Sequence, residues 1–412
     1  MKKNILLLIN QLHGGGAQKV IANLSISLHN DYNVTLVIYN DLDKVVFQHA
    51  GELVKVILPY SADTHNNNSF KRIYRLLSLI QKLKKIKKDR RIDVAISFME
   101  ASNIVNILSA GKEKTVLSVR SFLSNEFRDH KRLQIFRKII KLLYNRADHI
   151  ITPAKLAKLD LIKNFNVKEN KITIIYNFID KILVERNKNK TIEPHIDKLL
   201  HCHPVIINVG RITSPKAQWL LPGVLKKVQA VIPDARLLIL GEGPLEEKLM
   251  EEAGNNGLKV NSADATDNTD SFDIYLTGFK ENPYPYLSKS KVFIQSSVYE
   301  GFPNVIIEAM ACGLPVVSSD CASGPREILN PDTDISFSTD ILEHAAYGIL
   351  TPVYDIGSSD TQQYINAASE AVIEILGSEE KRNHYITRSL ERAHQYEKDI
   401  IMRQWISIIE EN

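Results

Sequence analysis

At 412 residues the chain exceeds what one hydrophobic core ordinarily serves, so two domains are expected. A hydrophobic content of 44% and a charged content of 24% exclude a disordered or fibrous chain. No apolar run approaches the roughly 20 residues needed to span a bilayer, and three cysteines (Cys202, Cys312, Cys321) without metal-like spacing argue against a disulfide framework and for a reducing, cytoplasmic compartment.

The net charge of +4 conceals an asymmetry, because residues 1–190 hold 34 Lys and Arg against 16 Asp and Glu, whereas 191–412 hold 18 against 32. The first half therefore expects an anionic partner. In chain order, residues 4–10 predict a buried strand; their apolar run is too short for a signal peptide. Gly14-Gly15-Gly16 predicts a tight turn, with His13 beside it, and 17–28 has helical apolar spacing. Strands follow at 34–39, 53–58, 92–97, 114–119 and 148–152, with helices between them. Apolar strands alternating with helices indicate a parallel sheet covered on both faces, a doubly wound α/β domain.

Two of the intervening helices are basic. Residues 71–91 hold ten Lys and Arg among Ile73, Tyr74, Leu76, Leu77, Leu79, Ile80, Leu83 and Ile86, and 128–146 repeats the pattern. Basic amphipathic helices are a membrane-surface signature, although part of each apolar face must pack on the sheet. No nucleic-acid-binding motif is visible.

Residues 186–203 are polar and irregular and predict the inter-domain linker. A second α/β series follows, with strands at 205–210, 235–240, 275–277, 291–295 and 314–318. Asn255 to Asp273 and Asn330 to Asp340 are expected surface insertions, and Glu379 to Glu410 is expected to be helical. No fixed-period repeat is present.

The chemistry concentrates in the second series. Val209-Gly210-Arg211 ends its first strand, and Lys216 follows five positions later, so two cations stand where open sheets bind ligands. Gly241-Glu242-Gly243-Pro244 is a strand-to-turn element that fails the dinucleotide fingerprint. From Val298 to Glu327 the chain reads V-Y-E-G-F-P-N-V-I-I-E-A-M-A-C-G-L-P-V-V-S-S-D-C-A-S-G-P-R-E. The pattern predicts a loop, a helix with Pro303 at its first position, a glycine stop at Gly313 and a buried strand. Glu300 lies in the loop and Glu308 inside the helix. A helix N-terminus favours phosphate, while carboxylates there favour hydroxyls; a nucleotide-sugar offers both. With Gly324 as cap, Glu327 becomes the third helical residue, either a cap for the amides or a ligand contact.

This segment resembles the E-x7-E signature of the retaining family-4 glycosyltransferases, which have the two-domain GT-B fold, and Gly210-Arg211 with Lys216 resembles that family's G-R-x4-K element. The resemblance implies two doubly wound Rossmann-like domains facing a cleft. They would be an acceptor-binding domain (1–190), a nucleotide-sugar donor-binding domain (191–385) and a C-terminal helix (386–412) returning to the first. It implies that Arg211 and Lys216 stabilise the departing diphosphate, that Glu300 contacts the donor sugar and that Glu308 holds the ribose. Donor contacts would further involve Gly15, Gly16, Gly243, Gly301, Phe302, Pro303, Asn304, Val305 and Glu327. Ala217 follows the lysine where relatives usually carry glycine. Relatives often carry a histidine after the fourth or fifth strand of the first domain; the comparable stretch here holds Arg120, which with His13 is a candidate acceptor contact.

The reaction so implied is retaining transfer of a hexose or N-acetylhexosamine from a nucleotide-diphosphate donor, UDP by preference, without cofactor. The acceptor would be a lipid-diphosphate-linked saccharide in surface polysaccharide assembly, at an anionic inner membrane face. No metal is expected: the D-x-D pairs at Asp41/Asp43 and Asp332/Asp334 fall in polar turns away from the donor elements. Two alternatives stand beside it, a nucleotide-sugar epimerase on the same fold and a catalytically silent partner subunit.

Overall fold

The computed structural model describes residues 2–59, 69–126, 130–261, 271–355 and 361–411; side chains of 69 and 130–133 are outside the description. Two compact units form, Met1–Asn177 with Ile401–Asn412, and Phe178–Ile400. The first contains β1 (Asn4–Leu8), α1 (Gly16–Leu28), β2 (Asn33–Ile38), β3 (Glu52–Lys55), α2 (Ser69–Asp89), β4 (Val94–Phe98) and α3 (Glu100–Leu108). It continues with β5 (Lys114–Ser118), α4 (Leu123–Glu126), α5 (His130–Leu143), β6 (His149–Thr152), α6 (Lys155–Phe165) and β7 (Ile172–Ile174). Its strands lie in the order β3-β2-β1-β4-β5-β6-β7, every neighbouring pair parallel. The near-continuous apolar runs of β1, β2 and β4 follow from burial on both faces.

The second unit contains α7 (Lys181–Asn187), α8 (Pro194–Cys202), β8 (Val205–Val209), α9 (Leu221–Gln229), β9 (Arg236–Leu240), α10 (Glu246–Asn255), β10 (Val260–Asn261) and β11 (Ile274–Leu276). After these come α11 (Tyr284–Lys289), β12 (Val292–Gln295), α12 (Asn304–Ala311), β13 (Val316–Ser319), α13 (Pro325–Leu329), β14 (Glu343–Ala345), β15 (Gly348–Thr351), α14 (Gln362–Gly377) and α15 (Glu379–His394). Strand order is β10-β11-β9-β8-β12-β13-β15-β14, parallel except for the β14–β15 edge.

The expected linker over 186–203 is instead the helical start of the second unit. Ile196, Leu199 and Leu200 of α8 are buried, and Glu193 accepts from Lys280 Nζ and Tyr286 Oη, each at 2.6 Å. Polar Asn and Lys residues masked an amphipathic helix one face wide. The unit boundary at 177/178 accordingly precedes the expected residue 190. The single helix expected over 386–412 is two, α15 and α16 (Lys398–Glu410), separated by a turn at the buried Tyr396. From Ile401 onward α16 belongs to the first unit, where Trp405, Ile408 and Ile409 are buried and Lys3 Nζ and Lys114 Nζ donate to the carbonyls of Ile409 and Ile408. Of the expected insertion at 255–273, residues 262–270 lie outside the described residues.

Candidate active site

In an open parallel sheet the crevice for a ligand lies where the strand order reverses, outside the carboxyl ends of the strands. In the second unit that point falls between β8 and β12. The two strands pair only at Val292–Ile206 and Phe293–Ile207. Beyond them the buried Asn208 donates its Nδ2 to Ile294 O at 2.8 Å, so a side chain replaces the ladder as the strands part. The loops that leave both strands are stitched together. Ser296 Oγ donates to Lys216 O (2.7 Å) and Val298 N to Pro215 O (2.8 Å).

At the centre of this crevice Lys216 Nζ meets Glu300 Oε1 at 2.5 Å. The same oxygen accepts from Gln295 Nε2 at 2.8 Å and Ser297 Oγ at 2.7 Å. Three donors thus fix one oxygen of Glu300, and Oε2 has no partner among the described residues. Gln295 and Ser297 are both buried and donate from the end of β12. Their role escaped the sequence reading; the signal is a run of polar residues, Gln295-Ser296-Ser297, at the end of a buried apolar strand.

Backbone economy shapes the cationic side. Gly210 and Gly241 adopt φ of 159° and 150°, and a Cβ on Gly241 would stand 2.0 Å from Gly210 O. A Cβ on Gly243 would stand 2.3 Å from Ile212 O. These glycines let the 241–244 turn close onto the 210–212 loop, so Gly243, an expected donor contact, also lies against the carbonyl of Ile212. Gln218, buried behind the loop, donates to the carbonyls of Gly210 and Arg211. Arg211 itself is exposed and has no ion pair among the described residues. Ala217, where relatives carry glycine, takes a left-handed conformation (φ 49°, ψ 34°) that glycine would adopt without strain.

The second glutamate lies on α12. Pro303 is the residue before this helix (φ −79°, ψ 90°), one position earlier than expected, and Asn304 and Val305 open it. Glu308 is buried on its second turn. Phe302 is buried with its ring edge-on to Tyr396, centroids 5.7 Å apart. The loop is braced by Ser323 Oγ donating to Gly301 O (2.8 Å) and by Glu300 N donating to Ala322 O (3.1 Å). Gly324 takes φ 107° against Pro303, and Pro325, Arg326 and Glu327 start α13 as the spacing predicted. Arg326 forms a buried network with Asp320 and Glu343, each of which it contacts through more than one nitrogen. Burial pushes the Asp320 carboxyl up, whereas hydrogen bonding from Arg326 holds Glu343 down. Glu327 is buried, and its carbonyl accepts from Arg392.

The remaining expected residues lie in the first unit. Gly15 precedes α1 in extended conformation and Gly16 begins it. His13 Nε2 contacts Asp41 Oδ2 at 3.1 Å, which gives one aspartate of the first D-x-D pair a protein partner. In the second pair, Asp334 Oδ1 accepts from the backbone and hydroxyl of Ser336. Arg120, the other candidate acceptor contact, is 9% exposed. Its guanidinium lies 4.5 Å from the Phe98 ring, which stacks on Trp405, and its Nη1 donates to Asn177 Oδ1 at 2.7 Å. Burial lowers its pKa to about 9.

Residues 14–181 match the family description Glycosyltransferase Family 4, and 203–355 match Glycosyl transferases group 1. An uncharacterised glycosyltransferase of Methanocaldococcus jannaschii is 30% identical over 82% of this chain and 84% of its own length. The N-acetylgalactosamine-N,N'-diacetylbacillosaminyl-diphospho-undecaprenol 4-alpha-N-acetylgalactosaminyltransferase of Campylobacter jejuni is 29% identical over 79% of this chain and 83% of its own. Among solved structures, HepE of Anabaena in complex with UDP and glucose superposes with a TM-score of 0.71 at 16% identity, covering 100% of both chains. The two parallel-sheet α/β units are the fold of GT-B enzymes, and the chain belongs to the glycosyltransferase family defined by these family-4 and group-1 regions.

Proposed function

We propose that this glycosyltransferase retains anomeric configuration, needs no metal and moves a hexose or N-acetylhexosamine from a UDP-linked donor. The observation that carries this reading is the tripod on Glu300: Lys216, Gln295 and Ser297 hold one carboxylate oxygen and leave the other for a sugar hydroxyl. When a donor enters, Lys216 exchanges its carboxylate partner for the diphosphate, and with Arg211 it offsets the charge that grows as the sugar leaves. The positive end of α12 and its loop (Gly301, Phe302, Asn304, Val305) take the phosphates and sugar, Glu308 the ribose hydroxyls, and Glu327 supports the rim. Gly15 and Gly16, before and at the start of α1, are further donor contacts in this reading. Both glutamates are thus committed to hydroxyls, which favours front-face substitution: a departing phosphate oxygen takes the acceptor proton as the new bond forms.

The acceptor in this reading is a lipid-diphosphate-linked saccharide of a surface polysaccharide pathway, by likeness to the Campylobacter enzyme named above. Contact with an anionic membrane comes from α2 and α5. On α2, Phe70, Ile73, Tyr74 and Leu77 are spaced along one face and stand 75%, 58%, 50% and 53% exposed. Arg72, Lys84, Lys85 and Lys88 are exposed on the same helix. On α5, Ile135 and Leu142 are exposed with Lys138 and Lys141, while the side chains of Lys131 and Arg132 lie outside the described residues. No helix among the described residues is long and apolar enough to cross a membrane. Each cation near an anionic leaflet contributes about 1 kcal/mol.

The deciding experiment offers a panel of UDP-hexoses and UDP-N-acetylhexosamines with and without a polyprenyl-diphosphate-linked saccharide. Transfer with retained configuration, read by NMR, is expected only with acceptor. Conversion of free nucleotide-sugar without acceptor would establish the epimerase instead, and binding without any turnover would establish the silent subunit.

A further inference from the structure

The crevice occupies the carboxyl end of the second sheet. At the amino end, where Lys291 leads into β12 and Leu314-Pro315 into β13, the same unit holds a cavity of about 850 Å³. Small-molecule sites span roughly 300–1,000 Å³. The helix α12 joins the two places: its first residues open onto the crevice and its last, Ala311, lines the cavity. At 1.5 Å per residue that separates them by about 12 Å. The cavity is therefore distinct from the donor elements.

Its floor is apolar, with Leu200, Leu314, Pro315 and Ala393 all buried. From α15, Ile386 and Leu390 close over Gly313, whose missing Cβ would stand 3.7 Å and 3.8 Å from them, and Leu390 is 49% exposed. Cations surround this floor. Lys188 pairs with Glu185 at 2.8 Å, Lys181 with Glu397 at 3.5 Å and Lys289 with Asp197. Lys188 and Lys289 also stand at helix C-termini, where a cation is favoured without any ligand. Two cations lack such an explanation. Lys291 is exposed and has no ion pair among the described residues. Arg382 lies in the first turn of α15, where the helix dipole disfavours positive charge. Its Nη1 donates to the carbonyls of Ile375 and Leu376, each at 3.3 Å, while Nε and Nη2 have no partner among the described residues. The last carbonyls of α12 do not oppose an anion here, since Ala309 O accepts from Cys312 N and Leu314 N, and Met310 O from Gly313 N. In a half of the chain with 18 basic against 32 acidic residues, this concave positive site focuses attraction on an anion.

We propose that the cavity binds an amphiphilic phosphate: a lipid-like phosphate monoester whose head meets Lys291 and the open edge of Arg382. Its chain lies on Leu314, Pro315, Ile386 and Leu390. A phosphate monoester carries a charge of about −1.5 to −2 at neutral pH, which matches two uncommitted cations, whereas a carboxylate carries one. A guanidinium edge suits phosphate oxygens. A phosphate without a chain would leave the apolar floor uncovered. The inference concerns binding alone and does not depend on the glycosyl-transfer reading.

The test is equilibrium dialysis of the full chain with radiolabelled farnesyl phosphate, kept below the concentration at which it forms micelles. Inorganic phosphate, glucose 1-phosphate and farnesol are each expected to bind at least about tenfold more weakly, since each lacks the chain or the charge. Lys291→Glu and Leu390→Asp, both at exposed positions, should each raise Kd about tenfold. Lys216→Met in the crevice should leave it unchanged. No binding of farnesyl phosphate, equal binding of any of the three partial ligands, an unchanged Kd in either cavity variant, or a loss in Lys216→Met overturns the inference. Should a cavity variant fail to fold, the wild-type protein decides through its cysteines. Cys312 is half-buried on the cavity wall and Cys202 is exposed. Farnesyl phosphate should slow alkylation of Cys312 by iodoacetamide, read by peptide mass spectrometry, and not that of Cys202. Bound ligand that leaves Cys312 labelling unslowed lies elsewhere and overturns the inference equally.

Discussion

Glu300 illustrates how one side chain is readied for two states. Three hydrogen bonds converge on a single oxygen, and one of the three donors, Lys216, is mobile on its four-carbon stem. In the proposed reading Gln295 and Ser297 keep the carboxylate in place when Lys216 turns to the diphosphate. Lys216→Met should therefore lower kcat by a factor on the order of 10²–10³, as removal of a preorganised transition-state contact does. Rates at saturating donor check this, and a kcat within threefold of wild type would remove Lys216 from the charge-stabilising role. Glu300, Glu308, Arg211 and Lys216 were legible in the sequence because their spacing is local to loops that leave adjacent strands. Asn208, Gln218, Gln295 and Ser297 were not, because each acts on a partner from another segment that only the fold supplies. The packing of Gly243 was hidden for the same reason: the atom its missing Cβ would meet belongs to Ile212, some thirty positions earlier in the chain.

At the scale of the element, α2 divides along its length. Its first half exposes Phe70, Ile73, Tyr74 and Leu77, and its second half buries Leu79 and Leu83 against the sheet. Among its cations Lys87 points inward: its Nζ is 2.7 Å from Glu113, both side chains are enclosed, and burial lowers its pKa. A count of charges along the helix cannot separate this lysine from its solvated neighbours, since the difference is one of angle around the helix axis, about 100° per residue. Two experiments should diverge accordingly. Reversing Lys84, Lys85 and Lys88 to Glu should weaken co-sedimentation with anionic liposomes and leave the unfolding midpoint nearly unchanged. Lys87→Met should leave liposome binding intact but destabilise the fold by about 3–5 kcal/mol, because Glu113 remains buried without its cation. Liposome binding that survives the triple reversal would refute the membrane role of α2. Regular elements with continuous apolar runs, such as β1, β2 and β9, were legible to within a residue or two. The short β7, β10, β14 and the polar-faced α8 were not, since two or three residues or one buried stripe leave too little periodicity to read.

For the whole molecule, the surplus of positive charge in residues 1–190 and of negative charge after them runs broadly parallel to the division into two units, 1–177 with 401–412 and 178–400. The chain links them twice, at 177/178 and 400/401. On the first unit's side Arg120 holds Asn177 next to one crossing and lies over Phe98, whose ring stacks on Trp405 shortly after the other. On the second unit's side Ile179 N donates to Tyr396 O and Lys398 N to Ile179 O, each at 2.9 Å, and Lys398 Nζ meets Asp180 at 3.2 Å. Arg120, a candidate acceptor contact, also anchors the chain ends of its own unit. The return of the C-terminal helix was anticipated from family likeness; its interruption at Tyr396 was not, because an aromatic at helical spacing does not reveal a turn.

The account stands or falls on the crevice between β8 and β12 as the nucleotide-sugar site. Calorimetric titration of UDP into the wild-type protein and Glu308→Ala tests it most directly. Wild type is expected to bind UDP without added metal, and Glu308→Ala to bind about tenfold more weakly at unchanged thermal stability, the loss of one hydrogen bond to a charged group. Equal affinity in the two proteins would contradict the assignment of α12 to the donor.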